Sequence, residues 1–164
     1  NHLLTHTKLE FAAEGGSTLF MDGVDISAEI TSVKVTDFVS QVSAISEVRE
    51  KLVQFQREMA EGLNVVLEGR DIGTVVFPNA DHKFFLVADI HERARRRKKE
   101  MEAKGEVVSL EELTAEMLER DRKDSTRKHS PLKKAEDAVE IDTTGISIEE
   151  QVNRIVEIVN KTIK

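Results

Sequence analysis

Glu68-Gly69-Arg70-Asp71-Ile72-Gly73-Thr74 sets an arginine and an aspartate side by side between two glycines, directly after the apolar run Val65-Val66-Leu67. A guanidinium is a planar fork that can hold a phosphate through two parallel hydrogen bonds. A carboxylate accepts hydrogen bonds from amino groups, such as those of a nucleobase. The glycines allow the backbone to turn sharply and approach a ligand closely, and open α/β sheets bind ligands where their strands end. A phosphate or nucleotide ligand is one reading. A structural Arg–Asp pair closing a strand end is the other, and these residues by themselves leave both open.

A second charged stretch is Glu119-Arg120-Asp121-Arg122-Lys123-Asp124-Ser125-Thr126-Arg127. On a helix Arg120, Asp124 and Arg127 fall at i, i+4 and i+7, which places them on one face. Two guanidiniums flanking a carboxylate suit a sugar phosphate, with phosphate on the arginines and a ribose hydroxyl on Asp124. The competing reading is a solvated face of weak ion pairs. A third stretch, Glu92-Arg93-Ala94-Arg95-Arg96-Arg97-Lys98-Lys99, crowds positive charge near a helix N-terminus, against the macrodipole. A polyphosphate partner would offset that cost; a nucleic-acid patch or an exposed helix are the alternatives. Ser40 and Arg49, taken singly, read as surface residues. The five histidines are not spaced with other ligands for a metal, and no G-x-S-x-G elbow supports a serine hydrolase.

These residues need a scaffold, and 164 residues suffice for one well-buried domain with a small inserted lobe. The absence of cysteine rules out disulfides and thiolate metal sites and fits a reducing cytoplasm. No apolar run has the length of a membrane span, and no signal-peptide pattern opens the sequence. The net charge of −7 argues against general nucleic-acid affinity, yet lysine and arginine gather between Arg93 and Arg127, as a local anion site would require.

Along the chain, Leu9 to Ala12, Thr18 to Met21 and Val24 to Ile26 read as an antiparallel meander turned at Gly15-Gly16 and Asp22-Gly23. From Val33 to Met59 the period is helical, with Val48, Leu52, Phe55 and Met59 on one stripe. Asn64–Leu67 and Lys83–Ala88 read as buried strands, and Ala138–Ile141 as a third strand. Between and after them stand helices opened by Asp89/Glu92, Ser109/Glu112 and Ser147/Glu150 in capping-box spacing. The last of these carries the stripe Ile148, Val152, Ile155, Val156 and Val159. This alternation predicts an α/β fold with a parallel sheet and covering helices. Three core strands are few for an open parallel sheet.

Taken together, Glu68-Gly-Arg-Asp-Ile-Gly-Thr-Val-Val-Phe-Pro78, Glu92-Arg-Ala-Arg-Arg-Arg97, the stretch Glu119–Arg127, Ser130-Pro-Leu132 and Asp142-Thr-Thr-Gly-Ile-Ser-Ile-Glu-Glu150 resemble the bacterial cytidylate kinases over essentially the whole chain. The resemblance implies a P-loop NTPase-like sheet, a small NMP-binding insert at about 9–45, core at about 46–92 and 130–164, and a helical lid with its flanking helix at about 93–129. It implies transfer of the γ-phosphoryl group of ATP, with largely substrate-bound magnesium, to CMP or dCMP. Ser40, Arg49 and Asp71 match positions that read cytosine. Arg70 and Arg120 match arginines around the CMP phosphate, and Asp124 and Arg127 those near the ribose and phosphate. Arg93 and Arg97 fall where lid arginines meet the transferring phosphate, so Arg70, Arg93, Arg97 and Arg120 form the implied catalytic set. A cytoplasmic monomer is expected, with no nucleic-acid or membrane partner and no protein-built metal site.

The departures from the family pattern are as informative. No G-x-x-x-x-G-K-[ST] loop occurs in the sequence, and it begins at Asn1-His2-Leu3-Leu4 without methionine. A downstream segment that carries another phosphate arginine in the family is also missing, and Glu68 stands where many relatives have aspartate. The expectation is an N-terminally shortened kinase lacking its first strands and most of its ATP β/γ-phosphate site. The alternatives are a CMP-binding chain without turnover or, more remotely, a nucleic-acid-binding module acting through Arg93 to Lys99.

Overall fold

The computed structural model describes residues 5–12 and 18–162, apart from the side chains of Val33, Thr36, Asp37 and Ser40. These residues fall into two compact units that divide between Gly69 and Arg70, with Arg127–His129 grouping with the first.

In the first unit, β1 (Leu9–Phe11), β2 (Leu19–Met21) and β3 (Val24–Asp25) form an antiparallel sheet with β2 in the middle. Leu9 pairs with Met21 and Phe20 with Asp25. Asp22 and Gly23 adopt φ of 52° and 82°, the left-handed pair that a tight hairpin turn requires. Asp22 is further tied to Lys8, whose backbone N–H donates to the Asp22 carboxylate at 2.7 Å. The meander is thus as expected, and Gly15-Gly16 lies outside the described residues. The helical stretch is two helices, α1 (Val33–Val42) and α2 (Ser46–Ala60), separated by three residues. Ser32 caps α1 by accepting from the Val35 N–H. Val48, Leu52, Phe55 and Met59 are half-buried beside buried Val53, and α2 contacts β1.

Asn64–Leu67 departs from expectation. It forms no strand, and Val66 is fully exposed at 102%. An apolar run becomes a strand only when a neighbour supplies the ladder for its N–H and C=O groups, and no described strand pairs with it.

The second unit holds a parallel pair, β4 (Phe84–Val87) and β5 (Val139–Asp142), in the register Phe84↔Val139 to Val87↔Asp142. A parallel pair requires a long crossover, here supplied by α3 (Ile90–Ala103) and α4 (Leu110–Thr126), which pack together. Ala94 on α3, Leu113 on α4 and Ile141 on β5 are buried. The strands are only half-buried, with Leu86 and Val139 exposed. The three expected helix starts are present. Asp89 accepts from the N–H groups of His91 and Glu92, Ser109 from Glu112, and Ser147 from Glu150. In α5 (Ile148–Thr162), Ile155 and Val159 are half-buried, but Ile148, Val152 and Val156 stay exposed. The architecture is α/β, and none of the described helices is long and apolar enough to cross a membrane.

Candidate functional site

Arg70 and Asp71 lead into a single π-helical turn, Ile72–Val76. Such one-turn π segments often mark functional sites. The Asp71 carbonyl accepts from the N–H groups of Thr74, Val75 and Val76 at 3.3, 2.9 and 3.3 Å, and the Phe77 N–H closes on Ile72 at 2.7 Å. Asp71 itself is 3% exposed. Burying a carboxyl group is costly unless hydrogen-bond donors surround it.

From this turn Arg70 reaches α4. Its Nε lies 3.2 Å from Asp124 Oδ2 and its Nη1 3.8 Å from Asp121 Oδ1. Asp121 also receives the Arg93 guanidinium as a two-pronged pair, Nη1 to Oδ2 at 2.5 Å and Nη2 to Oδ1 at 3.2 Å. Arg120 Nε stands 4.0 Å from Asp124 Oδ2. Asp124, one helical turn along from Asp121, is 5% exposed. Among these described pairs three guanidiniums share two carboxylates, so the five groups together carry one surplus positive charge. The hydrogen bond to Asp121 raises the pKa of Arg93 above its ordinary value, against the opposing effect of burial. Its charge is permanent at any physiological pH.

The neighbouring arginines of α3 differ. Arg96 donates through Nη2 to the Thr143 carbonyl at 2.6 Å and pairs through Nε with Glu92 at 2.9 Å. Thr143 in turn donates its hydroxyl to the Val87 carbonyl, tying the middle of α3 to the ends of both strands. Arg97, on the exposed flank of α3, pairs with Glu100 at 3.2 Å.

The structure thus gathers Arg70, Arg93, Arg120 and Asp124 in one cluster and sets Arg97 apart from it. Arg127 lies one residue beyond α4 and groups with the first unit, so the expected helical face holds for Arg120 and Asp124 but not for Arg127. Arg49 is half-buried on α2, and Ser40 lies on α1 with its side chain outside the described residues. Asp121, which brings Arg70 to Arg93, was missed in the sequence reading. Its three-residue spacing from Asp124 was the available signal.

The family model for cytidylate kinase matches residues 1–161. The chain belongs to the cytidylate kinase family. It is 44% identical over 164 residues to a cytidylate kinase of Lactobacillus johnsonii, covering 99% of this chain and 71% of that protein. It is 50% identical over 162 residues to one of Geobacillus, covering 98% and 72%, and 46% identical over 165 residues to one of Pediococcus pentosaceus, covering 100% and 73%. Cytidylate kinases are nucleoside monophosphate kinases, and the family uses ATP as phosphoryl donor, generally with Mg2+. A cluster of arginines with surplus positive charge is what phosphoryl transfer asks of a protein, since the reaction depends on placed cations far more than on covalent help.

Proposed function

We propose that this chain binds CMP or dCMP as phosphoryl acceptor and transfers to it the γ-phosphoryl group of ATP, giving CDP or dCDP and ADP. We propose further that turnover by these 164 residues on their own is impaired, since they hold no G-x-x-x-x-G-K-[ST] loop. The observation that carries this reading is the cluster of Arg70, Arg93 and Arg120 around Asp121 and Asp124, with its surplus positive charge. The surplus suits one phosphate anion. Arg70 and Arg120 receive the acceptor phosphate, and Asp121 and Asp124 hold their guanidiniums in place meanwhile. Asp124 also reaches the ribose. Asp71, with Ser40 and Arg49, reads the cytosine ring, and Arg127 supports the sugar phosphate. Arg93 and Arg97 face the transferring phosphate. On the donor side, magnesium would neutralise the β- and γ-phosphates when bound with ATP. The 164 residues offer no glycine-rich cradle for those phosphates.

Calorimetric titration of the chain with CMP, using UMP and AMP as comparators, tests the acceptor half. Selective CMP binding is expected, and equal or absent binding of all three overturns it. Asp71→Ala sharpens the assignment. Loss of a charged hydrogen bond to the cytosine amino group costs about 1.5–3 kcal/mol, so CMP should lose far more affinity than UMP. An equal loss for both would make Asp71 a structural residue. Turnover by the purified chain separates an impaired enzyme from a protein that binds CMP without reaction.

A further inference from the structure

We infer that Lys83 is a positioning residue: its side chain is a strut that fixes the turn carrying Asp71, with Asp137 as its counter-ion. Lys83 precedes β4, and its carbonyl accepts from the Val139 N–H at 2.9 Å, beside the first rung of the parallel ladder. Its side chain is only 7% exposed. The stem lies against the π turn. A Cβ placed on Gly73 would meet Lys83 Cδ at 3.2 Å and Cγ at 3.5 Å. The ammonium donates to the Pro78 carbonyl and to Asp137 Oδ2, each at 2.5 Å. One side chain therefore touches the loop near its beginning at Gly73, holds its end at Pro78, and ties both to the segment that leads into β5.

A lysine is an expensive choice for a spacer. Its charge resists burial unless it is paired and hydrogen-bonded, and an apolar residue would fill the same space against Gly73. What the ammonium adds is direction, because it must satisfy one carbonyl and one carboxylate together. The hydrogen bond from Lys83 holds the Asp137 carboxyl below its ordinary pKa, as a working ion pair requires. Gly73 completes the device, since any side chain there would crowd the stem. Asp71, whose carbonyl organises the same turn, inherits its orientation from this clamp. The consequence for base selection rests on the proposed role of Asp71, whereas the clamp itself does not.

The test combines amide hydrogen exchange with CMP and UMP titrations on the full chain, for wild type, Lys83→Met and Asp137→Asn. Lys83→Met keeps the stem and removes the charge. The amides of Val75, Val76 and Phe77 should exchange roughly tenfold faster in it, as expected for the loss of a charged hydrogen bond. The Thr143 amide, held by Val87, should be unaffected, and Asp137→Asn should give a smaller change in the same amides. The preference for CMP over UMP should fall along with their protection. Unchanged exchange in the turn, or equal acceleration at every amide, overturns the clamp. Faster exchange with undiminished preference for CMP overturns the positioning role. If wild type fails to prefer CMP, the reading of Asp71 falls and exchange alone decides the clamp. If Lys83→Met does not fold, Asp137→Asn decides it in the same way.

Discussion

Two acid–base groups stand almost adjacent on α4 and behave oppositely. Glu119 pairs with Arg122 at 2.8 Å and Lys123 at 3.5 Å, all on the helix's own exposed side. Asp121 and Asp124 instead engage Arg70 and Arg93, which come from other elements, and Asp124 is buried. Both groups pair carboxylates with basic side chains over a similar range, 2.8 and 3.5 Å on one side and 2.5, 3.2 and 3.8 Å on the other; the dielectric surroundings and the origin of the partners differ. An exposed pair within one helix is screened by water and gains little. A shielded pair between elements fixes their relative placement, and losing one partner strands the other's charge. The helix therefore presents an ornamental face and an organising one, a few residues apart.

The largest expected effect separates these faces directly. Asp124→Ala removes the buried carboxylate that Arg70 and Arg120 share. Both arginines keep partial access to water, so the loss is discounted to about 2–3 kcal/mol. Urea denaturation should show a lower midpoint at unchanged slope. A change no larger than for a surface substitution would erase the distinction. Asp121→Asn should follow at about 1–2 kcal/mol, since the amide can still accept from Arg93 but no longer balances its charge.

Much of this architecture was legible locally. Asp89, Ser109 and Ser147 announced their helices because a cap and its N–H partners lie within three residues. Asp22-Gly23 announced its turn because the conformation belongs to those two residues. Asn64–Leu67 misled because strand formation is a property of two segments, and apolar composition describes only one. The arginines and Asp124 were legible as a charged motif. The role of Asp121 was not, because Arg70 and Arg93 are brought to it by the fold. Lys83 and Asp137 stand 54 residues apart, with nothing local in either to reveal the pairing.

Arg120→Ala sharpens the comparison through binding. Its guanidinium meets Asp124 at the outer limit of an ion pair and is nearly half exposed, so stability should change little. A phosphate contact carries no base identity. CMP, dCMP and UMP should each weaken by roughly tenfold, the equivalent of about 1.4 kcal/mol. A loss confined to cytosine nucleotides, measured by the same titrations, would move Arg120 from the phosphate to the base.

The smallest effect is expected at Glu119, although its titration is strongly perturbed. The hydrogen bond from Arg122 lowers its pKa from 4.5 to about 2. A depressed carboxyl pKa means stability that is present above the unfolded value and lost as pH falls through the folded one. The sensitive window therefore runs from about pH 4.5 down to about pH 2. Glu119 lies on the exposed side of the helix, however, so solvent and salt screen the pair and two long side chains must be ordered to make it. Glu119→Gln should consequently track the wild-type thermal midpoint through this window at 0.15 M salt, while Asp124→Ala stays below both at neutral pH. If wild type instead lost stability on acidification that Glu119→Gln did not lose, the outer pair would be organising the helix too. Environment, and not charge spacing, would then have been the wrong criterion for telling the two faces apart.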